Sequence, residues 1–214
     1  MNADFSRLVA IVPVRSLAGA KSRLGEPLDP EERADLILGL LRRTVAAALA
    51  AREVCSVIVV SQDGELLRVA GEMGARALLQ RSDGLNEALA ETRLSACADT
   101  TALLVLPADL PAVSASAIDS IVDTARRLAE EDPRRAIVGL VRDRHGTGTN
   151  ALLISPPCAI EFAFGEGSRG VHEAAAGAAG ASYFELAGPL SFDVDTPEDL
   201  LQADLAGLGH EAGR

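Results

Sequence analysis

Several scarcities narrow this sequence before any motif is read. Aromatic residues make up only 3% of its 214 positions, so Ala, Leu and Val must fill whatever core it builds. No apolar run approaches the roughly 18 residues that a membrane-spanning helix needs. The three cysteines, Cys55, Cys97 and Cys158, are odd in number and widely spaced. They fit neither a zinc pattern nor a disulfide framework, and they read as reduced, small core residues. Positive charge is also short. The formal net charge of -11 argues against nucleic acid or an anionic membrane as partner. It leaves nucleotides open, because metal ions and a few local cations can bridge acid-rich sites to phosphates. The chain also lacks a Walker A motif, a Ser/Cys–His nucleophile signature and a G-x-G-x-x-G after a strand.

Lysine is nearly missing, and its one occurrence is informative. Nineteen of the twenty basic residues are arginine, and Lys21 is the lysine. It lies in Leu8 to Leu24, LVAIVPVRSLAGAKSRL, which opens with seven apolar, β-branched-rich residues and so reads as a strand buried on both faces. A loop of small residues with Arg15, Lys21 and Arg23 follows. Small residues let a backbone approach a ligand, and cations complement a polyanion, so the loop suits phosphates. The same stretch imitates a secretory signal, but Asp4 sits in its leading region, Pro13 interrupts the apolar run and Arg15 precedes the cleavage-like Ala18-Gly19-Ala20. The expected location is the cytoplasm.

A length of 214 residues with 48% hydrophobic content fits one large α/β domain, or at most two small ones, and is taken as a single domain over 1–207 with a tail at 208–214. Asp29-Pro30-Glu31-Glu32 is a helix start, with Asp29 at the cap and Glu32 three residues on. Its helix runs to about Arg52. Val54 to Ser61, Ala75 to Gln80 and Thr101 to Leu106 read as strands, with helices over Gly64 to Gly74 and Asp83 to Ala98 between them. Ser114 caps a helix to Glu131. Such alternation predicts parallel strands joined by helices, hence a three-layer α/β domain. Strands at Ala136 to Val141 and Asn150 to Ile154 are too close for a crossover, which predicts an antiparallel hairpin and a mixed sheet. A helix over Arg169 to Ala179, strands at Ser182 to Leu186 and Phe192 to Val194, and a helix restarting at Thr196 complete the pattern, with Asp199 at its third position.

Ligands of open α/β sheets bind beyond the carboxyl ends of the strands, and Asp109, Asp193 and Asp195 occupy such ends. On a strand, Asp193 and Asp195 would face one side and suit one cation; magnesium is typically held by one or two carboxylates plus phosphates and water. Turn and helix-start chemistry explains each acid separately as well. Taken with the loop at Lys21, the metal–phosphate reading is the better one. Gly146-Thr147-Gly148-Thr149 and Gly165-Glu166-Gly167-Ser168 offer N–H groups and hydroxyls to a small anion, although the first also reads as a plain hairpin turn. His145 suits an anion or solvent, and His172 and His210 carry no pattern.

The ordered pieces PVRSLAGAKSRL, GLNEAL, LPADLP, GTGTNALL, FGEGS and FDVDTPEDL resemble the CofC/FbiD family of guanylyltransferases from Val12 to Leu200. The resemblance implies a Rossmann-like mixed sheet of the nucleotide-diphospho-sugar transferase type. It also implies GTP-dependent formation of a GMP diphosphodiester for coenzyme F-420 biosynthesis. It places Lys21 and Arg23 at the GTP phosphates, with Pro13, Arg15 and Asn86 also on the nucleotide. Asp109, Asp193 and Asp195 would hold Mg2+, and Lys21, Arg23 and Asp109 form the catalytic group. Thr149, Gly165 and Ser168 surround the phosphorylated acid: 2-phospho-L-lactate, phosphoenolpyruvate or 3-phospho-D-glycerate. Arg15 stands where the family's first loop commonly has lysine. The implied partners are GTP and the acid, with no nucleic acid or membrane, and homodimerisation is left open. Another transferase of the same fold, with a molybdopterin or sugar-phosphate acceptor or reading Asp193-Val194-Asp195 as D-x-D, stays open, as does a non-catalytic nucleotide-binding module.

Overall fold

The computed structural model describes residues 3–15, 29–96, 99–194, 199 and 201–202. The buried runs become strands: β1 (Leu8–Pro13), β2 (Val54–Ser61), β3 (Arg76–Leu79), β4 (Ala102–Val105), β5 (Ile137–Arg142), β6 (Thr149–Ser155) and β7 (Ser182–Leu186). They form one seven-stranded sheet in the order β3-β2-β1-β4-β6-β5-β7. β6 runs antiparallel to both of its neighbours, and the remaining pairings are parallel. The mixed sheet expected from the short β5–β6 connection is therefore present.

Local signals set the helices. In α1 (Pro30–Ala50), the Asp29 carboxylate accepts from the N–H groups of Glu31 and Glu32, both at 2.9 Å, and the Glu32 carboxylate accepts from the Asp29 N–H at 3.0 Å. That capping box satisfies donors that the first helical turn cannot. Asp63 caps α2 (Gly64–Glu72), and Ser114 caps α4 (Ala115–Glu131). α3 (Leu85–Ser95) and α5 (Ser168–Ala178) begin after Gly84 and Gly167, without a side-chain cap.

The strands alternate between two cores. Leu8, Ala10 and Val12 face Ile37, Leu41 and Val45 of α1, Leu66 of α2 and Ile118, Ile121 and Val122 of α4. Val9 and Ile11 face Ala88 and Leu89 of α3 and Ala176 of α5. Fully burying one Leu, Ile or Val side chain contributes about 1.5–3 kcal/mol, so this two-sided aliphatic burial supplies what the missing aromatics do not. The result is a three-layer α/β/α fold. No helix among the described residues is long and apolar enough to cross a membrane.

Two expectations fail. Phe192 to Val194 is not a strand; it follows a 3-10 turn, Pro189–Ser191, and the Val194 N–H donates to the Asp109 carbonyl at 2.9 Å. The strand-based argument that aimed Asp193 and Asp195 to one side therefore loses its basis. Nor are two of the three cysteines core residues: Cys55 and Cys158 are exposed free thiols. Cys55 lies near the start of β2, in the part of the strand that is not covered by the layers. Lys21, Arg23, Asp195, Cys97, the helix start at Thr196 and the expected tail lie outside the described residues.

Candidate functional site

From β1 the chain crosses to β2 and β3 on one side, while β4 lies on the other. The strand order thus reverses between β1 and β4, and open α/β sheets bind their ligands beyond the carboxyl ends of the strands at such a point. Pro13 is buried at the end of β1, and the next residue's N–H (Val14) donates to Val60. Arg15 follows, exposed, and makes no ion pair among the described residues. Beyond β4, the Leu106 N–H donates to Ile11 at 2.9 Å and the chain turns through Asp109.

The Val194–Asp109 backbone bond brings together the segments of two of the three expected metal acids, Asp109 and Asp193. Asn150, buried at the start of β6, holds the second of them: its Nδ2 donates to the Leu190 carbonyl at 3.0 Å and to Asp193 Oδ1 at a longer 3.4 Å. Asp109 and Asp193 are hard oxygen donors on adjoining segments, one with a side-chain amide orienting it, and this donor set fits Mg2+. Arg144 steadies the same segment. Its guanidinium pairs with buried Asp199 at 2.5 Å and lies over the Phe192 ring at 5.1 Å. Asp199, expected to serve its own helix start, instead reaches the β5–β6 loop.

A bulge decides where Thr149 points. Val141 pairs with Ala151 but Arg142 pairs with Thr149, so Asn150 is an extra residue in β6. Strict alternation would send Thr149 to the face of Ala151 and Leu153, under α1 and α4. The bulge turns it instead toward α5. There Ser168 Oγ donates to Thr149 Oγ1 at 3.1 Å, and His172 Nδ1 lies 3.1 Å from the same oxygen. His172 Nε2 accepts from the Ala163 N–H at 3.1 Å, and its ring meets Phe164 edge-on at 5.3 Å between centroids. His172 is fully buried, and burial pushes its pKa down to about 4, so the ring is neutral near pH 7. Read from sequence, it carried no pattern.

The glycine loops behave differently from each other. In the first, the N–H groups of Gly146 and Thr147 turn inward to the carbonyl and carboxylate of Asp143. That loop is a hairpin turn organised by Asp143, not a free cradle. In the second, Gly165 and Gly167 adopt φ of +134° and +70°, which favour glycine. The first turn of α5 engages its own N–H groups: Ser168 donates to Gly165, Arg169 to Thr147, and Gly170 and Val171 to Gly167. The hydroxyls of Thr149 and Ser168, rather than helix N–H groups, are what this corner offers. Asn86, expected at the nucleotide, grips the same loop, with both amide atoms paired to the backbone of Phe164. Asn150, Arg144 and His172 escaped the sequence reading because each acts on a partner far away in the chain.

Comparison with known proteins gives the family and the fold. The family described as Guanylyl transferase CofC like matches residues 8–213. A phosphoenolpyruvate guanylyltransferase of Sphaerobacter thermophilus is 47% identical, the match covering 93% of this chain and 92% of that protein. One of the same name from Rubrobacter xylanophilus is 44% identical over 92% and 94%. A solved structure described as a nucleotide-diphospho-sugar transferase, from Desulfovibrio desulfuricans, superposes with a TM-score of 0.71 at 13% identity, covering 97% of this chain and 90% of that one. That likeness shows the fold.

Proposed function

This chain belongs to the CofC-like guanylyl transferase family, and from that premise we propose that it transfers GMP from GTP to phosphoenolpyruvate, releasing pyrophosphate, as a step of coenzyme F-420 biosynthesis in the cytoplasm. The two relatives above, at 47% and 44% identity, carry that acceptor in their names. The observation that carries the reading is the start of β6, where consecutive residues serve both halves of the reaction. Asn150 orients Asp193 beside Asp109, and Thr149 joins Ser168 in a hydroxyl pair suited to an anionic acid.

In the reaction, an acceptor phosphate oxygen attacks the α-phosphorus of GTP in line. One P–O bond forms as the bridge to the β-phosphate breaks, and the electron pair leaves with pyrophosphate. The nucleophile is already ionised, so no general base is required. Catalysis then rests on positioning and charge neutralisation. Asp109 and Asp193 would hold Mg2+, with Asp195 as the third ligand. The ion, when bound, neutralises charge on the phosphates. Arg15, just beyond β1, counters the triphosphate with Lys21 and Arg23. Thr149 and Ser168 orient the acid.

The test is an acceptor panel with GTP and Mg2+, read by mass spectrometry of the GMP adduct. Phosphoenolpyruvate should give the adduct fastest. Adduct only with 2-phospho-L-lactate, 3-phospho-D-glycerate or a sugar phosphate overturns the acceptor assignment, and no pyrophosphate with any acceptor overturns the enzyme.

A further inference from the structure

We infer that His172 is a positioning residue: together with Ser168 it fills both lone pairs of Thr149 Oγ1, so that this hydroxyl can only donate, to an anionic oxygen of the phosphorylated acid. The inference rests on the reading of this corner as the acceptor site.

The hydrogen bonds around the ring fix where its proton lies. The Ala163 backbone N–H can only donate, so His172 Nε2, which receives it at 3.1 Å, carries no proton. A neutral ring must then carry its proton on Nδ1. That N–H has one partner, Thr149 Oγ1 at 3.1 Å, so Thr149 accepts from it. Thr149 also accepts from Ser168 Oγ at 3.1 Å. Both lone pairs of the Thr149 oxygen are then engaged, and its own proton must point elsewhere. Without His172, one lone pair of Thr149 Oγ1 would be open, and that hydroxyl could accept from a ligand as well as donate.

The polarity is built in rather than fluctuating. His172 and Ser168 are 0% and 1% exposed, and Thr149 is 8% exposed. The ring is clamped at both nitrogens and against the Phe164 ring at 5.3 Å. A fixed donor stabilises an acceptor-only oxygen, carboxylate or phosphate. It penalises a ligand that must itself donate at that point, because a buried polar group would then be left unmatched.

The experiment compares His172→Phe, which keeps bulk and removes both nitrogens, with His172→Asn, whose amide can place an N–H near the Nδ1 position. Steady-state kinetics with GTP and phosphoenolpyruvate should show KM for the acid raised at least tenfold in His172→Phe, with KM for GTP within twofold. His172→Asn should recover much of the loss. In Thr149→Val, which also raises that KM, adding His172→Phe should cost little more. Independently of activity, nitrogen NMR of the wild-type ring should show the neutral tautomer protonated at Nδ1. Protonation at Nε2, or equal rises in both KM values for His172→Phe and His172→Asn, overturns the inference. If Thr149→Val leaves the acid's KM unchanged, the acceptor-site reading fails instead. If Thr149→Val raises it and His172→Phe does not, only the role of His172 falls.

Discussion

The side-chain amide of Asn86 pairs with both backbone groups of Phe164: Oδ1 accepts its N–H at 2.8 Å, and Nδ2 donates to its carbonyl at 3.0 Å. The start of α3 is thereby fastened to the loop that carries Gly165 and Ser168, across 78 positions of sequence. Asn86→Ala leaves two backbone groups without that partner. It should cost about 1–3 kcal/mol in unfolding free energy and raise KM for the acid severalfold. Asn86→Asp should recover the bond from the Phe164 N–H but set a carboxylate against its carbonyl, giving little rescue. Urea unfolding together with KM for each substrate checks this. A rise confined to GTP would mean that the clamp does not shape the acceptor loop.

Asp109, Asp193 and Asp195 should act as one magnesium-dependent unit. Each change to Asn removes a charged ligand with little change of shape, so turnover should fall at least tenfold in every single variant. Double variants should be far less than additive, because a site without its ion has little left to lose. Magnesium should raise the wild-type melting temperature when GTP is present, and much less that of the variants. Near-normal activity in all three would remove the metal from the mechanism.

Asn150 tests how Asp193 is held. Its amide spans the Leu190 carbonyl and Asp193 Oδ1 at 3.0 and 3.4 Å. Asn150→Asp would put a second carboxylate against Asp193 and remove the donor. The Mg2+ concentration for half-maximal activity should rise about tenfold, the loss of roughly 1.4 kcal/mol expected of one orienting contact. A magnesium titration reads it; an unchanged midpoint would show that Asp193 does not need the amide.

Burial of His172 gives stability a pH slope. Its pKa is about 4 in the fold against an ordinary value of 6.5, and burial is the cause. Between those values the unfolded chain binds more protons, so this contribution is complete above about pH 6.5 and is lost as pH falls toward 4. The full loss is about 3 kcal/mol. Unfolding free energies at pH 7.5 and 4.5 should therefore differ less in His172→Phe than in the wild type, by a few kcal/mol. Equal differences would mean that the ring is not held neutral.

What the sequence by itself determined are features whose partners lie within a few residues. The capping box of Asp29 and Glu32 formed as the spacing predicts, because its hydrogen bonds close over three positions. Val54–Ser61 and Ser182–Leu186 became strands over the ranges that were read, since a buried run or a short β-rich run is a local property. The order of the motifs was likewise enough to indicate the family. The site's wiring was decided by tertiary structure. Phe192 to Val194 looked like a strand, yet its backbone found Asp109 instead of a sheet edge. His172 looked solitary because its partners Thr149 and Ala163 stand 23 and 9 positions away. Thr149 faces α5 only because Asn150 is extra to the ladder, a register that exists once β5 and β6 are paired. A buried polar group must find its hydrogen bonds wherever the fold puts them, and spacing along a chain does not encode a partner that only packing brings near.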